Sequence, residues 1–367
     1  MDCGSMDCGS KRAVTRPHGT LCCGDFGRNC RIDPLRYFAE RAGAALAIFS
    51  LALLAGTGVR SAGVDELAAP GELIPVGHHR LHLHCQGQGG PTVILDAGLG
   101  GSSLDWSRVQ PAAAAVTRSC SYDRAGYGWS EPGPPPRTSA HIVAELHTLL
   151  RRAEEPAPYL LVGHSFGGYN VRLFASRHPT LVAGVILVDA AHEEQAARFR
   201  QRGIGHATTP GRGKFVIFSP PKVPDNLPQH VKPVALAMAE TVRAVQAMHD
   251  ELASFADSAA QLRGTVLPDL PMTVITRGQR VWPHTERGER MERLWVELQQ
   301  DLAQRRPHTL HIVARGSGHY VQLDEPEVVV EAIATMVGAI RAKTQANGPE
   351  FTQCGDAAVH NKIAHGC

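Results

Sequence analysis

A short glycine-rich run at residues 163–168 constrains the fold of this chain more than any other feature. Its sequence is Gly-His-Ser-Phe-Gly-Gly, and it lies between an apolar run at 159–162 and a helix-like stretch at 169–177. A serine on a sharp strand-to-helix turn takes up a strained backbone conformation with its hydroxyl exposed, and glycine on either side lets the backbone pass closely. The first N–H groups of the helix then face negative charge that develops on a substrate oxygen. The run therefore predicts that Ser165 is a nucleophile.

A serine hydroxyl is a poor nucleophile without a general base. The chain has 19 histidines, so sequence context must select one. His319 lies in the glycine-rich loop 316–320, between a strand-like run at 309–313 and a helix that opens with Asp-Glu-Pro at 324–326. Proline suits a first helical turn, where its missing N–H costs nothing. We expect His319 to be the base, and an ordinary surface histidine is the alternative.

Four sequence blocks in a fixed order point to a family. Residues 95–101 (Leu-Asp-Ala-Gly-Leu-Gly-Gly) and 122–130 (Tyr-Asp-Arg-Ala-Gly-Tyr-Gly-Trp-Ser) precede the serine and histidine blocks. With these blocks the chain resembles cap-bearing α/β-hydrolases, the branch that includes epoxide hydrolases, haloalkane dehalogenases and many small-molecule esterases. The resemblance covers residues 71–341 and implies a mostly parallel sheet flanked by helices, with a helical cap inserted before the last strands. It disfavours dehalogenase and epoxide-hydrolase chemistry, because those relatives have an aspartate in place of Ser165.

The resemblance also implies an oxyanion hole with two backbone donors. One is the N–H of Phe166, and the other comes from the loop after the third strand, where Leu99 is the best match and Gly98 the alternative. This chain has Asp-Ala-Gly at 96–98 where the family more usually begins with His-Gly. The donor is a main-chain N–H, so the side chain matters little. Loss of one such donor typically raises the barrier by about 3 kcal/mol.

The acid of a Ser-His-acid triad follows the serine and precedes the histidine in this fold. Its commonest place is after the strand at 271–276, but that strand runs into Arg277 and no carboxylate is close. Glu286 comes later, at the start of a charged helix. The other place is the end of the strand at 184–188, where Asp189 follows directly. We expect Asp189 to be the acid, with Glu286 as the alternative and a structural strand-end role for Asp189 as a further one.

Between the tails, strands and helices alternate, which predicts a mostly parallel sheet covered on both sides. In the first half of the chain, strands are predicted at 81–85, 91–95 and 118–122, and helices at 106–114 and 138–152. Ligands of such sheets bind at the carboxyl ends of the strands, where Ser165, Asp189 and His319 all fall. We expect Asp123 and Arg124 to form a structural charged pair that braces the loop after the fourth strand.

Residues 192–267 interrupt this alternation, at the place where the family inserts its cap. The first half is basic and rich in glycine and proline, and residues 228–263 are strongly helical. Apolar side chains available for burial there are Val234, Leu236, Met238, Val242, Val245, Met248, Leu252 and Phe255. An apolar lid over the site would favour an uncharged or hydrophobic small substrate, whereas plain packing onto the core is the alternative.

The two ends of the chain differ from the rest. Residues 1–35 carry five of the nine cysteines at spacings that match no standard zinc finger, so we expect a disordered tail or a misassigned start codon. Residues 36–63 contain an apolar run at 42–59 after basic residues, which predicts a signal peptide or a membrane anchor, with a buried soluble helix as the alternative. The core would then comprise 64–191 and 268–342, and 343–367 would form a disordered tail. We interpret Cys85 and Cys120 as buried apolar residues rather than a disulfide.

Composition excludes several other function classes. The net charge is +2, the basic residues are scattered, and neither a P-loop nor a dinucleotide-binding glycine motif is present. We therefore expect no nucleic-acid partner, no cofactor and no metal. The sequence predicts a serine hydrolase for a small, apolar carboxylic ester, membrane-anchored or secreted with its catalytic domain outside the cytoplasm. A thioesterase, lactonase or amidase is an alternative, as is a ligand-binding or receptor module of this fold with little turnover; the oligomeric state is left open.

Overall fold

The apolar runs of the sequence form one sheet in the computed structural model, which describes residues 68–204 and 220–346. In this part of the chain the sheet has eight strands in the order β1-β2-β4-β3-β5-β6-β7-β8. Strand β2 pairs antiparallel with β1 and β4, and the remaining pairs are parallel. The strands are β1 (Glu72–Pro75), β2 (Arg80–Gln86), β3 (Thr92–Asp96), β4 (Ser119–Tyr122), β5 (Tyr159–His164), β6 (Val182–Val188), β7 (Met272–Arg277) and β8 (Leu310–Ala314).

Helices cover both faces of this sheet, as the alternation predicts. They are α1 (Gln110–Ala114), α2 (Ser139–Arg152), α3 (Gly167–Arg177), α4 (Gln195–Gln201), α5 (Lys232–Ala239), α6 (Val242–Ala253), α7 (Phe255–Leu262), α8 (Glu286–Gln304), α9 (Val321–Asp324) and α10 (Pro326–Ala346). One buried apolar cluster joins α2 and α3 to the sheet, and a second joins α1 and α10 to the other side. The predicted α/β-hydrolase architecture, a mostly parallel sheet with flanking helices, is confirmed.

Two element boundaries differ from the prediction. The expected helix at 106–114 is divided into a short 3₁₀ helix, Ser103–Trp106, and α1, because Pro111 lies in the first turn of α1 and starts a new helix there. Helix α10 continues to Ala346, past the predicted start of the C-terminal tail at 343. The N-terminal tail (1–35), the predicted signal peptide or anchor (36–63) and residues 347–367 lie outside the described residues. Among the described residues, no helix is both long and apolar enough to span a membrane.

The interpretation of Cys85 and Cys120 as unbonded residues is wrong. They are directly opposed partners in the antiparallel pair β2/β4, and they form a disulfide. The sequence shows two cysteines on two strands but not the strand order, and pairing across β2 and β4 skips β3. Directly opposed side chains on neighbouring strands lie within bonding reach, which explains the cross-link.

The described part of the segment inserted between β6 and β7 is helical, as predicted, and Met238 is buried there, but α6 buries a different face from the predicted one. In α6 the buried residues are Ala244, Ala247 and Glu251, whereas Val242 and Leu252 are 85% and 54% exposed. The prediction selected the large apolar side chains, whereas α6 places two alanines and a glutamate against the core. A Cβ added at Gly126 would meet the Cβ of Ala247 at 2.6 Å, so this helix lies directly on the loop after β4.

Candidate active site

Ser165 lies on a tight turn between β5 and α3, with a φ of +50° in the left-handed region. A Cβ at Gly163 would lie 2.6 Å from the carbonyl oxygen of Gly167, and one at Gly167 would lie 2.4 Å from that of Asp96. Both positions therefore require glycine, because any side chain would force strand and helix apart. The strained elbow that the sequence predicts is confirmed, and the Ser165 side chain is partly exposed.

His319 follows β8 in a loop that brings its ring to the serine. Its Nε2 lies 3.0 Å from Ser165 Oγ, and its side chain is 30% exposed. The loop is held by the carboxylate of Asp324, which accepts a 2.9 Å hydrogen bond from the N–H of Gly318. The imidazole is thus within hydrogen-bond reach of the hydroxyl whose proton a general base would remove.

Asp189 follows β6 directly and completes a chain of three side chains. Its Oδ2 lies 2.6 Å from Nδ1 of His319, and its φ of +40° turns the carboxylate toward the histidine. Trp295 Nε1–H donates to Oδ1 at 2.8 Å. Burial alone would raise the pKa of Asp189, but the hydrogen bond and charge of His319, together with Arg277 and Trp295, lower it to about 2. The carboxylate is therefore ionised at neutral pH and can fix the imidazole tautomer.

The position where the family most often carries its acid is occupied here by Arg277, the last residue of β7. Its Nη1 donates to Asp189 Oδ2 at 2.8 Å, and its Nη2 donates to Glu292 at 3.0 Å. The guanidinium lies 4.7 Å from the ring centroids of both Trp282 and Trp295. A basic residue at this strand end thus holds the acid that the neighbouring strand supplies.

Glu286, the alternative acid, lies away from the histidine. It is the first residue of α8, its side chain is 87% exposed, and it pairs with Arg290 at 2.5 Å. An i,i+4 ion pair on an exposed helix surface has a modest local role. The structure therefore brings Ser165, His319 and Asp189 together and leaves Glu286 outside.

The predicted oxyanion donors lie on both sides of the serine. Phe166 precedes the first turn of α3, and Leu99 lies in the loop after β3. Within the part of the chain that the structure describes, neither backbone N–H donates to a protein acceptor. Gly98 is in van der Waals range of the serine, since a Cβ there would lie 3.2 Å from Ser165 Cβ. Two unpaired N–H groups beside a nucleophile are the arrangement that an oxyanion hole requires.

Asp123 and Arg124 do not pair with each other, so the expected charged pair is wrong. Each residue instead binds other parts of the protein. Asp123 accepts hydrogen bonds from the N–H groups of Ser103 (2.6 Å) and Trp129 (3.0 Å) and contacts the buried ring of His82 at 2.8 Å. Arg124 instead points to the loop after β3. Consecutive side chains after a strand leave in opposite directions, so neighbours in sequence rarely bond to each other.

His164 is a residue that sequence reasoning missed, although it is the variable position of the serine motif. Its ring is buried, and its Nε2 lies 2.8 Å from the carbonyl oxygen of His319. Burial and then the adjacent His319 lower the pKa of His164 to about 3. The ring is therefore neutral, and its Nε2–H donates to the backbone that carries the candidate base.

A cavity lies between the loop after β3 and the inserted segment. Gly100, Ser102, Asp105 and Tyr127 line one side, and residues of the inserted segment line the other: Lys222, Val223, Pro224, Ala235, Met238, Ala239 and Ala244. Its lining is mostly apolar apart from Ser102, Asp105, Tyr127 and Lys222. The predicted lid thus contributes apolar surface next to the candidate oxyanion loop.

Among the described residues, one set of side chains has the spacing of a metal site, namely Cys85, Cys120 and Glu155. The two sulfur atoms are bonded to each other, so neither offers a thiolate. This set lies on β2, β4 and the loop before β5, far along the sheet from the strand ends that carry Ser165.

Comparison with known proteins agrees with this architecture. Uncharacterized protein YqjL of Bacillus subtilis is 27% identical over 253 residues, which cover 68% of this chain and 85% of that protein. Probable transporter efuK of Hormonema carpetanum is 26% identical over 313 residues, which cover 74% of this chain and 43% of efuK. This chain therefore spans less than half of that relative's length.

A solved structure shows the same fold. The enol-lactonase from Burkholderia xenovorans LB400 superposes with a TM-score of 0.53 at 19% identity, over 73% of this chain and 100% of the lactonase. In addition, the model of the alpha/beta hydrolase family matches residues 93–332, well over half of the 367-residue chain. That span contains the serine elbow, the Asp189 turn and the histidine loop. The chain belongs to the alpha/beta hydrolase family.

Proposed function

We propose that this protein is a serine hydrolase that cleaves a small, apolar carboxylic ester, with Ser165 as nucleophile, His319 as base and Asp189 as acid. The observation that carries the proposal is the continuous chain of short contacts, 3.0 Å from Ser165 to His319 and 2.6 Å from His319 to Asp189. A nucleophile within reach of a base that a third group orients is the arrangement that nucleophilic catalysis requires.

The chemistry follows from these positions. His319 Nε2 removes the hydroxyl proton as Ser165 Oγ attacks the ester carbonyl, and Asp189 stabilises the imidazolium that forms. The N–H groups of Phe166 and Leu99 hold the oxyanion of the tetrahedral intermediate. The intermediate collapses to an acyl-enzyme as His319 returns the proton to the leaving alcohol. Water, activated by the same nitrogen, then releases the acid, so the cycle uses only this chain's own residues and water.

The proposed substrate class rests on the apolar side chains that the inserted segment places beside the loop after β3. Val223, Pro224, Ala235 and Met238 present apolar atoms there, which favours an uncharged or hydrophobic acyl or alcohol group. Lactones, thioesters and amides share the tetrahedral intermediate, so a substrate series that includes them defines the leaving group. Esters are our first choice over amides because an alkoxide leaves more readily than an amide nitrogen, and over thioesters because the sequence resembles small-molecule esterases.

Labelling of the purified full-length chain with a fluorophosphonate tests the nucleophile directly. We expect one label per chain on Ser165, lost in Ser165→Ala and strongly slowed in His319→Ala, together with turnover of short-chain p-nitrophenyl esters. A folded parent chain that neither labels nor turns over would contradict the proposal. Tight ligand binding without turnover, unchanged by Ser165→Ala, would instead support the binding-module alternative.

We also propose that the hydrolase domain acts outside the cytoplasm, either secreted or anchored through residues 42–59. Two observations support this location: the apolar run that follows Arg36 and Arg41, and the disulfide between Cys85 and Cys120. Alkylation of the protein isolated from its native cells, before and after reduction, is the test. Cys85 and Cys120 that alkylate without reduction would contradict the location.

A further inference from the structure

The peptide group between Gly98 and Leu99 is held at its carbonyl oxygen by the side chain of Arg124 and by the backbone N–H of Gly101, which donates to that oxygen at 3.0 Å. Arg124 Nη2 donates to the carbonyl oxygen of Gly98 at 2.7 Å, and its Nη1 donates to that of Ala97 at 2.7 Å. In a trans peptide the carbonyl oxygen and the following N–H point in opposite directions. The guanidinium and the Gly101 N–H, both bound to the oxygen of Gly98, therefore fix where the N–H of Leu99 points. A charged donor on the oxygen also polarises the peptide, which strengthens the N–H as a donor.

The guanidinium is held in turn by two buried carboxylates, that of Asp96 at the end of β3, which accepts from Nη1 at 3.0 Å, and that of Glu251 in the inserted segment. Glu251 on α6 accepts from Nε of Arg124 at 2.7 Å and from Nη2 at 3.1 Å. The hydroxyl of Tyr127 donates to the same carboxylate at 2.9 Å. Arg124 and Glu251 have side chains only 2% and 0% exposed, so no solvent can replace either partner. Geometry at this pair is strongly determined, because a buried charge without its partner is costly.

Helix α6 lies unusually close to the core at this point, and that closeness lets Glu251 reach Arg124. Its buried face has only the small side chains of Ala244 and Ala247 beside the glutamate. The Sδ atom of Met248, also on α6, would lie 3.5 Å from a Cβ at Gly100, which places the helix against the loop after β3. The close contact between α6 and the core therefore holds the carboxylate of Glu251 in position.

We propose that Glu251 is a positioning residue for catalysis, which acts through Arg124 to aim and polarise the Leu99 N–H in the oxyanion hole. The inserted segment thus contributes to transition-state stabilisation as well as to the wall of the cavity. This inference rests on the proposed function, because it needs a reaction that forms an oxyanion beside Ser165.

Glu251→Gln in the full chain is the main test, since it removes the charge and keeps the size. With p-nitrophenyl butyrate we expect kcat to fall about 10- to 100-fold, less than the roughly 10²- to 10³-fold loss from deleting a donor, with KM within about threefold. A trifluoromethyl ketone, which forms a tetrahedral adduct, should bind more weakly by the same factor as the loss in kcat/KM. The matching methyl ketone, which resembles the ground state, should bind equally well to both proteins.

Glu145→Gln provides a matched control, because Glu145 forms a two-contact pair with buried Arg137 at 2.7 Å and 2.7 Å, away from the loop after β3. Equal kcat losses in the two variants, or an equal weakening of both ketones by Glu251→Gln, would overturn the inference. If Glu251→Gln melts below the assay temperature, Tyr127→Phe replaces it, with an expected kcat loss of about three- to tenfold for one weakened hydrogen bond.

Labelling and hydrolysis by the parent chain distinguish failure of this inference from failure of the proposed function. A parent that labels with the fluorophosphonate and hydrolyses the ester, beside a Glu251→Gln variant with unchanged kcat, would overturn this inference alone. A folded parent that neither labels nor hydrolyses would overturn the proposed function and, with it, this inference.

Discussion

The guanidinium of Arg277 and the imidazole of His319 contact the same carboxylate oxygen, Oδ2 of Asp189, at 2.8 Å and 2.6 Å. The backbone N–H of Arg277 approaches the other oxygen at 3.3 Å. The proposed acid therefore lies at the end of β6, while the end of β7 supplies the residue that binds it. In the family the acid more often follows the strand that corresponds to β7. Here it follows β6 instead, and the histidine still follows β8.

Arg277→Met should lower kcat by roughly an order of magnitude, because the carboxylate of Asp189 loses the donor that fixes its rotation. It should also destabilise the fold by about 3 kcal/mol, since breaking a buried pair leaves one charge without a partner. Arg277→Lys, which keeps the charge, should recover part of both losses. Steady-state kinetics with p-nitrophenyl butyrate and urea unfolding check the two effects, and full activity in Arg277→Met would contradict the role.

Asp189→Asn should lower kcat on the order of 10²- to 10⁴-fold, because the amide cannot stabilise the imidazolium and favours the wrong tautomer. Glu286→Gln is the control, and its kcat should match the parent because that side chain is 87% exposed and pairs with Arg290. Pre-steady-state release of p-nitrophenol reports the acylation step directly. Comparable activity of Asp189→Asn and the parent would remove Asp189 from the triad.

Asp105→Asn should stabilise the protein at high pH and leave it unchanged at low pH. Burial, offset in part by Arg124, raises the pKa of Asp105 from 3.8 to about 7. Between these values the folded state holds a proton that the unfolded state has lost, so the parent loses stability as pH rises through this range. The neutral amide avoids that loss, which is on the order of 4 kcal/mol above pH 7. Urea unfolding of both proteins at about pH 4 and about pH 8 measures the difference, and equal stability at the higher pH would contradict it.

Much of the fold and of the candidate site follows from sequence because local patterns determine it. The turn at Ser165 requires glycine at fixed positions, Asp189 directly follows an apolar run that forms a strand, and His319 lies in the glycine-rich loop after another. Contacts between distant segments were not predictable in this way. The Cys85–Cys120 bond depends on β2 pairing with β4, and Glu251 sits on a helix face that its apolar neighbours did not indicate. The available signal for that residue was its helical spacing from Ala247 and Ala244, whose small side chains suit a close contact with the core.

Removal of the Cys85–Cys120 disulfide should destabilise the domain by about 4 kcal/mol, the size expected when a loop of this length is no longer closed in the unfolded chain. The two cysteines are 35 residues apart in sequence. Urea unfolding of the parent with and without reductant gives the difference. The double variant Cys85→Ala and Cys120→Ala should unfold like the reduced parent and be insensitive to reductant. A parent that unfolds identically in both conditions would exclude a stabilising bond.

Gly98→Ala should impair catalysis far more than folding. A Cβ at Gly98 would lie 2.9 Å from Nδ1 of His164 and 3.2 Å from Cβ of Ser165, so the loop must move away from the serine. That movement withdraws the Leu99 N–H, and partial loss of one donor should lower kcat by about tenfold or more. Gly338→Ala is the matched control, because a Cβ there meets nothing within 4 Å and alanine favours the interior of α10. We expect its kcat to equal that of the parent, and a Gly98→Ala variant that does the same would show that the loop carries no oxyanion donor.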